Sequence, residues 1–180
     1  MKLISNSHPE LVEGFDNEKK NKVKYNITMN LITAPSTIEL DKNFSVFLAG
    51  SIEVGVAKRW QDIVIQELSN QKVTLLNPRR DSWDQSWKQT IDDPVFNKQV
   101  NWELEALEKS NMIIMYFDKN TKSPITLLEL GLFAKSGKLI VCCPDGFWRK
   151  GNVDIVCERY GVQQVMSLNE LVREIKKRIQ

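Results

Sequence analysis

Four runs of this chain are apolar at almost every position yet too short for buried helices: VFLAGSI (46–52), VTLLNP (73–78), MIIMYFD (112–118) and LIVCCP (139–144). A strand with one wet face alternates apolar and polar residues, so strands without alternation must be covered on both faces. The intervening segments have helical spacing. AKRWQDIVIQELSN (57–70) puts Trp60, Ile63, Val64 and Leu68 on one side, and PVFNKQVNWELEALEKS (94–110) opens on a proline and aligns Val100, Leu104 and Leu107. SPITLLELGLFAKSG (123–137) reads as a helix with Ser123 at its N-cap, Pro124 in its first turn and a glycine at its end. NVDIVCERYG (152–161) reads as a short helix, VQQVM (162–166) as a fifth strand and SLNELVREIKKRI (167–179) as a closing amphipathic helix. Strands alternating with helices predict an α/β domain: a flavodoxin-like, doubly wound, five-stranded parallel sheet in the order 2-1-3-4-5. Residues 1–28 show no sustained period and end Lys-rich, so they are expected to be a flexible extension to a single domain over 29–180.

Composition removes several function classes. Lys plus Arg is 25 against Asp plus Glu 23, a balance that argues against a dedicated nucleic-acid or polybasic membrane surface. No apolar run approaches the ~18–20 residues of a spanning helix. Three cysteines, two of them adjacent, make no disulfide framework, and a cytoplasmic location is expected. Cys142 and Cys143 read as buried strand residues. The single histidine, His8, lies in the polar leader, which makes Ser-His-Asp, Cys-His and HExxH chemistry improbable. No His/Cys metal spacing occurs, and no cofactor is implied. Acid-base or nucleophilic chemistry must therefore rest on carboxylates.

In a doubly wound sheet, ligands sit beyond the carboxyl ends of the strands. The residues there are Gly50 and Ser51, then Asn77 to Asp81, then Asp118 to Glu129, then Asp145 to Asn152. Glu129 stands out, a carboxyl flanked by Leu127, Leu128, Leu130 and Leu132, about a turn and a half into its helix. Desolvation raises its pKa and the helix dipole lowers it, which leaves the sign open. A poorly hydrated, pre-positioned carboxylate suits nucleophilic attack at a sugar anomeric carbon; the plain alternative is a surface glutamate. Arg79 and Arg80 could hold a phosphate or carboxylate, or serve only as solvated loop residues. Ser51 and Ser123 could present hydroxyls and amides to an anion, or act as caps. Trp83, Trp87 and Trp148 fall in predicted loops, where stacking on a heterocycle competes with a subunit interface.

These residues resemble the nucleoside 2-deoxyribosyltransferase-like family from about Val46 to Val165, through VFLAGSI, NPRR, NWELEAL and, most specifically, SPITLLELGLFAKSGK. The resemblance implies an oligomeric enzyme that cleaves or exchanges the N-glycosidic bond of a small-molecule nucleoside or nucleotide, with Glu129 as nucleophile. It implies a second carboxylate near the base, matching Glu103 (Glu105 being the poorer match), and an asparagine donated by a neighbouring subunit, matching Asn152. Glu103 or Asp81 would protonate the departing base. Gly50, Ser51, Asn77, Arg79, Arg80, Trp83 and Ser123 would line the substrate. Two departures matter. Family transferases carry an aspartate where this chain has Ser123, whereas related nucleoside 5′-monophosphate N-glycosidases place a phosphate-binding serine there. Phe47 stands where several members have tyrosine. Three readings follow: a nucleoside glycosyl-transferring enzyme, a monophosphate hydrolase on the same scaffold, and a non-catalytic nucleotide-binding module.

Overall fold

A computed structural model describes residues 29–53, 56–80 and 87–180. In chain order its elements are β1 (Asn30–Thr33), β2 (Phe44–Gly50), α1 (Trp60–Leu68), β3 (Val73–Asn77), α2 (Pro94–Lys109), β4 (Met112–Tyr116), α3 (Pro124–Phe133), β5 (Leu139–Cys142), α4 (Lys150–Tyr160), β6 (Gln163–Val165) and α5 (Leu168–Arg178). All strand pairings are parallel, and the sheet runs β1-β3-β2-β4-β5-β6. The expected five-strand sheet is thus corrected to six strands and its order changed. The addition is β1, which pairs only with β3, from Asn30 opposite Thr74 to Thr33 opposite Asn77. It escaped the sequence reading because four residues, NLIT, with polar ends are too short to show a period.

The pleat sorts side chains to two cores. Val46 and Leu48 of β2 face α1 (Trp60, Val64, Leu68) and α5 (Leu171, Val172, Ile175). Phe47 and Ala49 face α2 (Trp102, Ala106, Leu107), α3 (Leu130) and α4 (Val153, Cys157). Two helices therefore cover one face and three cover the other, which is why the central strands read as unbroken apolar runs.

β2 lies between β3 and β4. The chain leaves β2 through α1 to β3, then returns past it through α2 to β4. The loops after β2 and β4 consequently part on opposite faces and open a crevice at their carboxyl ends. The backbones meet closely there. Gly50 has φ 146°, and a Cβ on it would lie 2.4 Å from the Tyr116 carbonyl oxygen and 2.9 Å from the Trp60 ring. Trp60 in turn donates from Nε1 to the Ser51 carbonyl at 3.0 Å. Gly50→Ala should lower unfolding free energy by about 2–4 kcal/mol, from backbone strain plus overpacking, in urea denaturation. A loss under about 0.5 kcal/mol would show that the strand ends are not so tightly apposed.

Candidate active site

α3 is built the wrong way round for a surface helix. It buries Thr126, Glu129 and Leu130, yet leaves Ile125, Leu128 and Leu132 57%, 60% and 58% exposed. Glu129 is itself only 8% exposed. The helix opens at Ser123, which holds the expected N-cap position with φ 47° but makes no side-chain cap to the helix backbone. Its hydroxyl turns instead toward Ser51, at 2.6 Å, and Thr121, at 2.7 Å; Ser51 and Thr121 are 2.8 Å apart. The N–H groups of Lys122 and Ser123 both donate to Oε1 of Glu53, each at 2.8 Å. A carboxylate from the loop after β2 thus occupies the positive end of α3.

The second carboxyl comes from α2. Asp93 caps this helix, accepting from the N–H groups of Val95 at 3.0 Å and Phe96 at 2.9 Å, with Pro94 directly behind it. One turn apart on its inner side lie Gln99 and Glu103, and Gln99 Nε2 donates to Glu103 Oε1 at 2.8 Å and to the Pro78 carbonyl at 3.0 Å. Arg80 completes the chain, with Nη1 3.4 Å from Gln99 Oε1 and its guanidinium 4.9 Å from the Trp87 ring centre. Burial pushes Glu103 up to about 7, against the opposing pull of the Gln99 hydrogen bond. Burial, then the charge of Glu103, pushes Glu129 up to about 8. The sign left open by sequence is therefore upward, with desolvation the largest cause. Near neutrality the two carboxyls cannot both ionise freely, and they titrate as a pair.

Comparison with known proteins agrees with this frame. The model of the family described as nucleoside 2-deoxyribosyltransferase like matches residues 43–147. The chain belongs to that family. Among solved structures, the crystal structure of a conserved protein from Enterococcus faecalis is similar at TM-score 0.55 and 15% identity, covering 76% of this chain and 99% of that one, and it supports the fold alone. Curated proteins give no match.

The family match runs from just before β2 to just after β5 and takes in Gly50, Ser51, Asn77, Arg79, Arg80, Glu103, Ser123 and Glu129. Asn152 lies beyond it, on α4, exposed beside a surface groove of about 300 Å³ that Leu127, Leu130 and Gly131 of α3 help to line. The Asn77 side chain accepts the Arg79 N–H at 3.1 Å and so shapes its own loop. Arg79 has a buried Nη1 with no hydrogen bond among the described residues. Glu105 points away, exposed and paired with Lys109. The Trp148 ring, 46% exposed, is covered by its own cations, Lys122 Nζ at 4.7 Å and Arg149 at 4.3 Å from its centre. Asp81 and Trp83 lie outside the described residues. Sequence reasoning missed Gln99, Thr121 and Glu53. The spacing of Gln99 and Glu103 in QVNWE was the available signal for the first; nothing in the pattern marked the other two.

Two outcomes are expected. In the folded chain burial pushes the Glu129 carboxyl up to about 8, against an ordinary 4.5 in the unfolded one. The folded state binds more protons in that window, so its stability is fully present below the unfolded value and falls as pH rises toward 8. Glu129→Gln should therefore be more stable than the parent at pH 8 by about 2 kcal/mol, and nearly equal to it around pH 4.5, in urea denaturation at both pH values. Equal stability at pH 8 would mean that Glu129 ionises unhindered. Gln99→Leu should displace the Glu103 titration upward, since it removes a bond to the charged form; carboxyl ¹³C NMR reads this directly.

Proposed function

We propose that this protein cleaves or exchanges the N-glycosidic bond of (deoxy)nucleosides by double displacement. The observation that carries the reading is the pair of desolvated carboxyls, Glu129 on α3 and Glu103 on α2, at the carboxyl edge of a sheet of this family. A pair holding one proton supplies both parts that the reaction needs. An ionised Glu129 oxygen attacks C1′. The C1′–N bond breaks, its electron pair passes to the base, and the proton of Glu103 goes to the departing nitrogen. The glycosyl-enzyme is then opened by water or by a second base, whose proton returns to Glu103. Positive charge developing at the sugar stabilises an ionised Glu129 and offsets the burial that holds it protonated in the free protein. Gln99 orients the Glu103 carboxyl, and Arg80 holds Gln99.

The monophosphate reading needs Ser123 free to take a phosphate, yet its hydroxyl is engaged with Ser51 and Thr121 and its amide with Glu53. Nucleosides are therefore favoured. A non-catalytic module would have no use for two carboxyls whose burial opposes folding above their unfolded pKa.

We also propose that the protein is a homo-oligomer. Ile125, Leu128 and Leu132 form an exposed stripe at helical spacing, larger than scattered surface apolar residues account for. The stripe shares its helix with Glu129, and Asn152 stands by the adjoining groove, so a second copy seated here would lie beside the site.

Base release from a panel of four 2′-deoxynucleosides and their 5′-monophosphates tests the chemistry. Glu129→Gln should lower the rate about 10³-fold or more, and Glu103→Gln about 10²-fold, with intact folding by circular dichroism. Unchanged turnover in Glu129→Gln would remove it as nucleophile. Light scattering should show more than one copy for the parent and a smaller species for Leu128→Lys; a monomeric parent would remove Asn152 from the site.

A further inference from the structure

The mouth of α3 holds more hydrogen-bond acceptors than donors. A phosphate is bound by donors, and a helix N-terminus supplies them as backbone amides. Here the amides of Lys122 and Ser123 are already spent on Glu53 Oε1. The hydroxyl cluster is short of protons as well. Ser51, Thr121 and Ser123 have one each, and Thr121 gives its own to the Asp118 carbonyl at 2.8 Å. Two protons remain for the three mutual contacts of 2.8, 2.6 and 2.7 Å, while Ser51 Oγ also accepts the Asp118 N–H at 2.8 Å. Ser51, Thr121 and Ser123 are all at least nine-tenths buried, with exposures of 1%, 4% and 4%. Glu53 adds a carboxylate whose second oxygen, Oε2, is shielded from solvent and accepts no hydrogen bond among the described residues. A buried acceptor left unmet is unfavourable until a donor arrives. Ser123 precedes Glu129 by about 9 Å of helix rise.

We infer that Glu53 is a specificity-determining residue: it fills the anion position at the start of α3, turns away 5′-phosphorylated ligands, and with the Ser51–Thr121–Ser123 hydroxyls accepts a hydroxyl of an uncharged sugar. This rests on the nucleoside reading above and narrows its substrate class to ligands that donate a proton at this end. An incoming phosphate would meet a like charge and lone pairs, with its natural donors already taken. Glu53 acts on binding; it takes no part in bond breaking.

The test is calorimetric binding to the full chain carrying Glu129→Gln, so that no turnover intervenes. The probes are the four 2′-deoxynucleosides, their 5′-monophosphates and inorganic phosphate. Each is measured with Glu53 present, with Glu53→Gln and with Glu53→Ala. With Glu53 present, the deoxynucleoside that binds should do so about tenfold or more tightly than its monophosphate. Glu53→Gln keeps an acceptor for the two amides but drops the charge, and should narrow that ratio by about tenfold. Glu53→Ala should take up inorganic phosphate that the parent does not. Monophosphates bound as tightly as nucleosides with Glu53 present, or a ratio unmoved by Glu53→Gln, would overturn the inference while leaving the glycosidic chemistry standing. Phosphate uptake by Glu53→Ala in a chain that binds no nucleoside would overturn the nucleoside reading and the sugar-accepting half of the inference, leaving only the exclusion of phosphate by Glu53. If Glu53→Ala does not fold, Glu53→Gln decides alone, and a chain that binds no probe in any form refutes both.

Discussion

Ser51 is the residue on which the site depends. It follows the last residue of β2, and every polar atom it has is used to tie neighbouring elements together. Its N–H donates to the Tyr116 carbonyl at 2.9 Å, joining the ends of β2 and β4. Its carbonyl accepts from Trp60, which anchors α1. Its hydroxyl accepts from Asp118 N–H and meets Thr121 and Ser123, which anchors the loop leading into α3. These bonds are buried, so water cannot replace any of them cheaply. Gly50 makes the arrangement possible, because any side chain there would collide with the Tyr116 carbonyl. The crevice that the strand order opens is thereby given fixed walls.

Against those walls α2 and α3 bring two carboxyls into a poorly hydrated space. Among the described residues neither has a cation to pair with; Glu103 has an amide donor, Gln99. Desolvation therefore dominates, and both pKa values rise. The protein sacrifices stability above pH 5 to hold them there, a pattern expected at a reacting centre rather than in a scaffold. The exposed stripe of Ile125, Leu128 and Leu132 is the complement: α3 turns its carboxyl inward and these apolar residues outward.

Much of the fold was legible beforehand. VFLAGSI, VTLLNP, MIIMYFD and LIVCCP announced strands covered on both faces, and they are buried almost throughout β2, β3, β4 and β5, with Phe44 and Tyr116 half-buried at strand ends. β1 was not legible, since NLIT is an edge strand defined by its pairing with β3 rather than by any internal pattern. Of the candidate site, Glu129 was visible because a carboxyl among leucines is locally inconsistent. Glu53 and Thr121 were invisible because an acid and a threonine in polar loops look like solvated surface; only hydrogen bonds across 70 residues, from the start of α3 to Glu53 and from Thr121 to Ser51, distinguish them.

The sequence by itself determined the class of the fold and the scarcity of chemistry available to it. Apolar runs without alternation demand a sheet covered on both sides, and one histidine leaves carboxyls to do the work. It also carried the motif by which the family is known. Only the tertiary structure decided what those carboxyls experience. Whether desolvation or the helix dipole governs Glu129 depends on how much water the packing of α2 against α3 removes, and no local pattern encodes that. Likewise Ser123 reads locally as a cap or an anion-binding residue, but long-range contacts from Ser51 and Glu53 take up its hydroxyl and its amide, leaving an acceptor-rich start to α3.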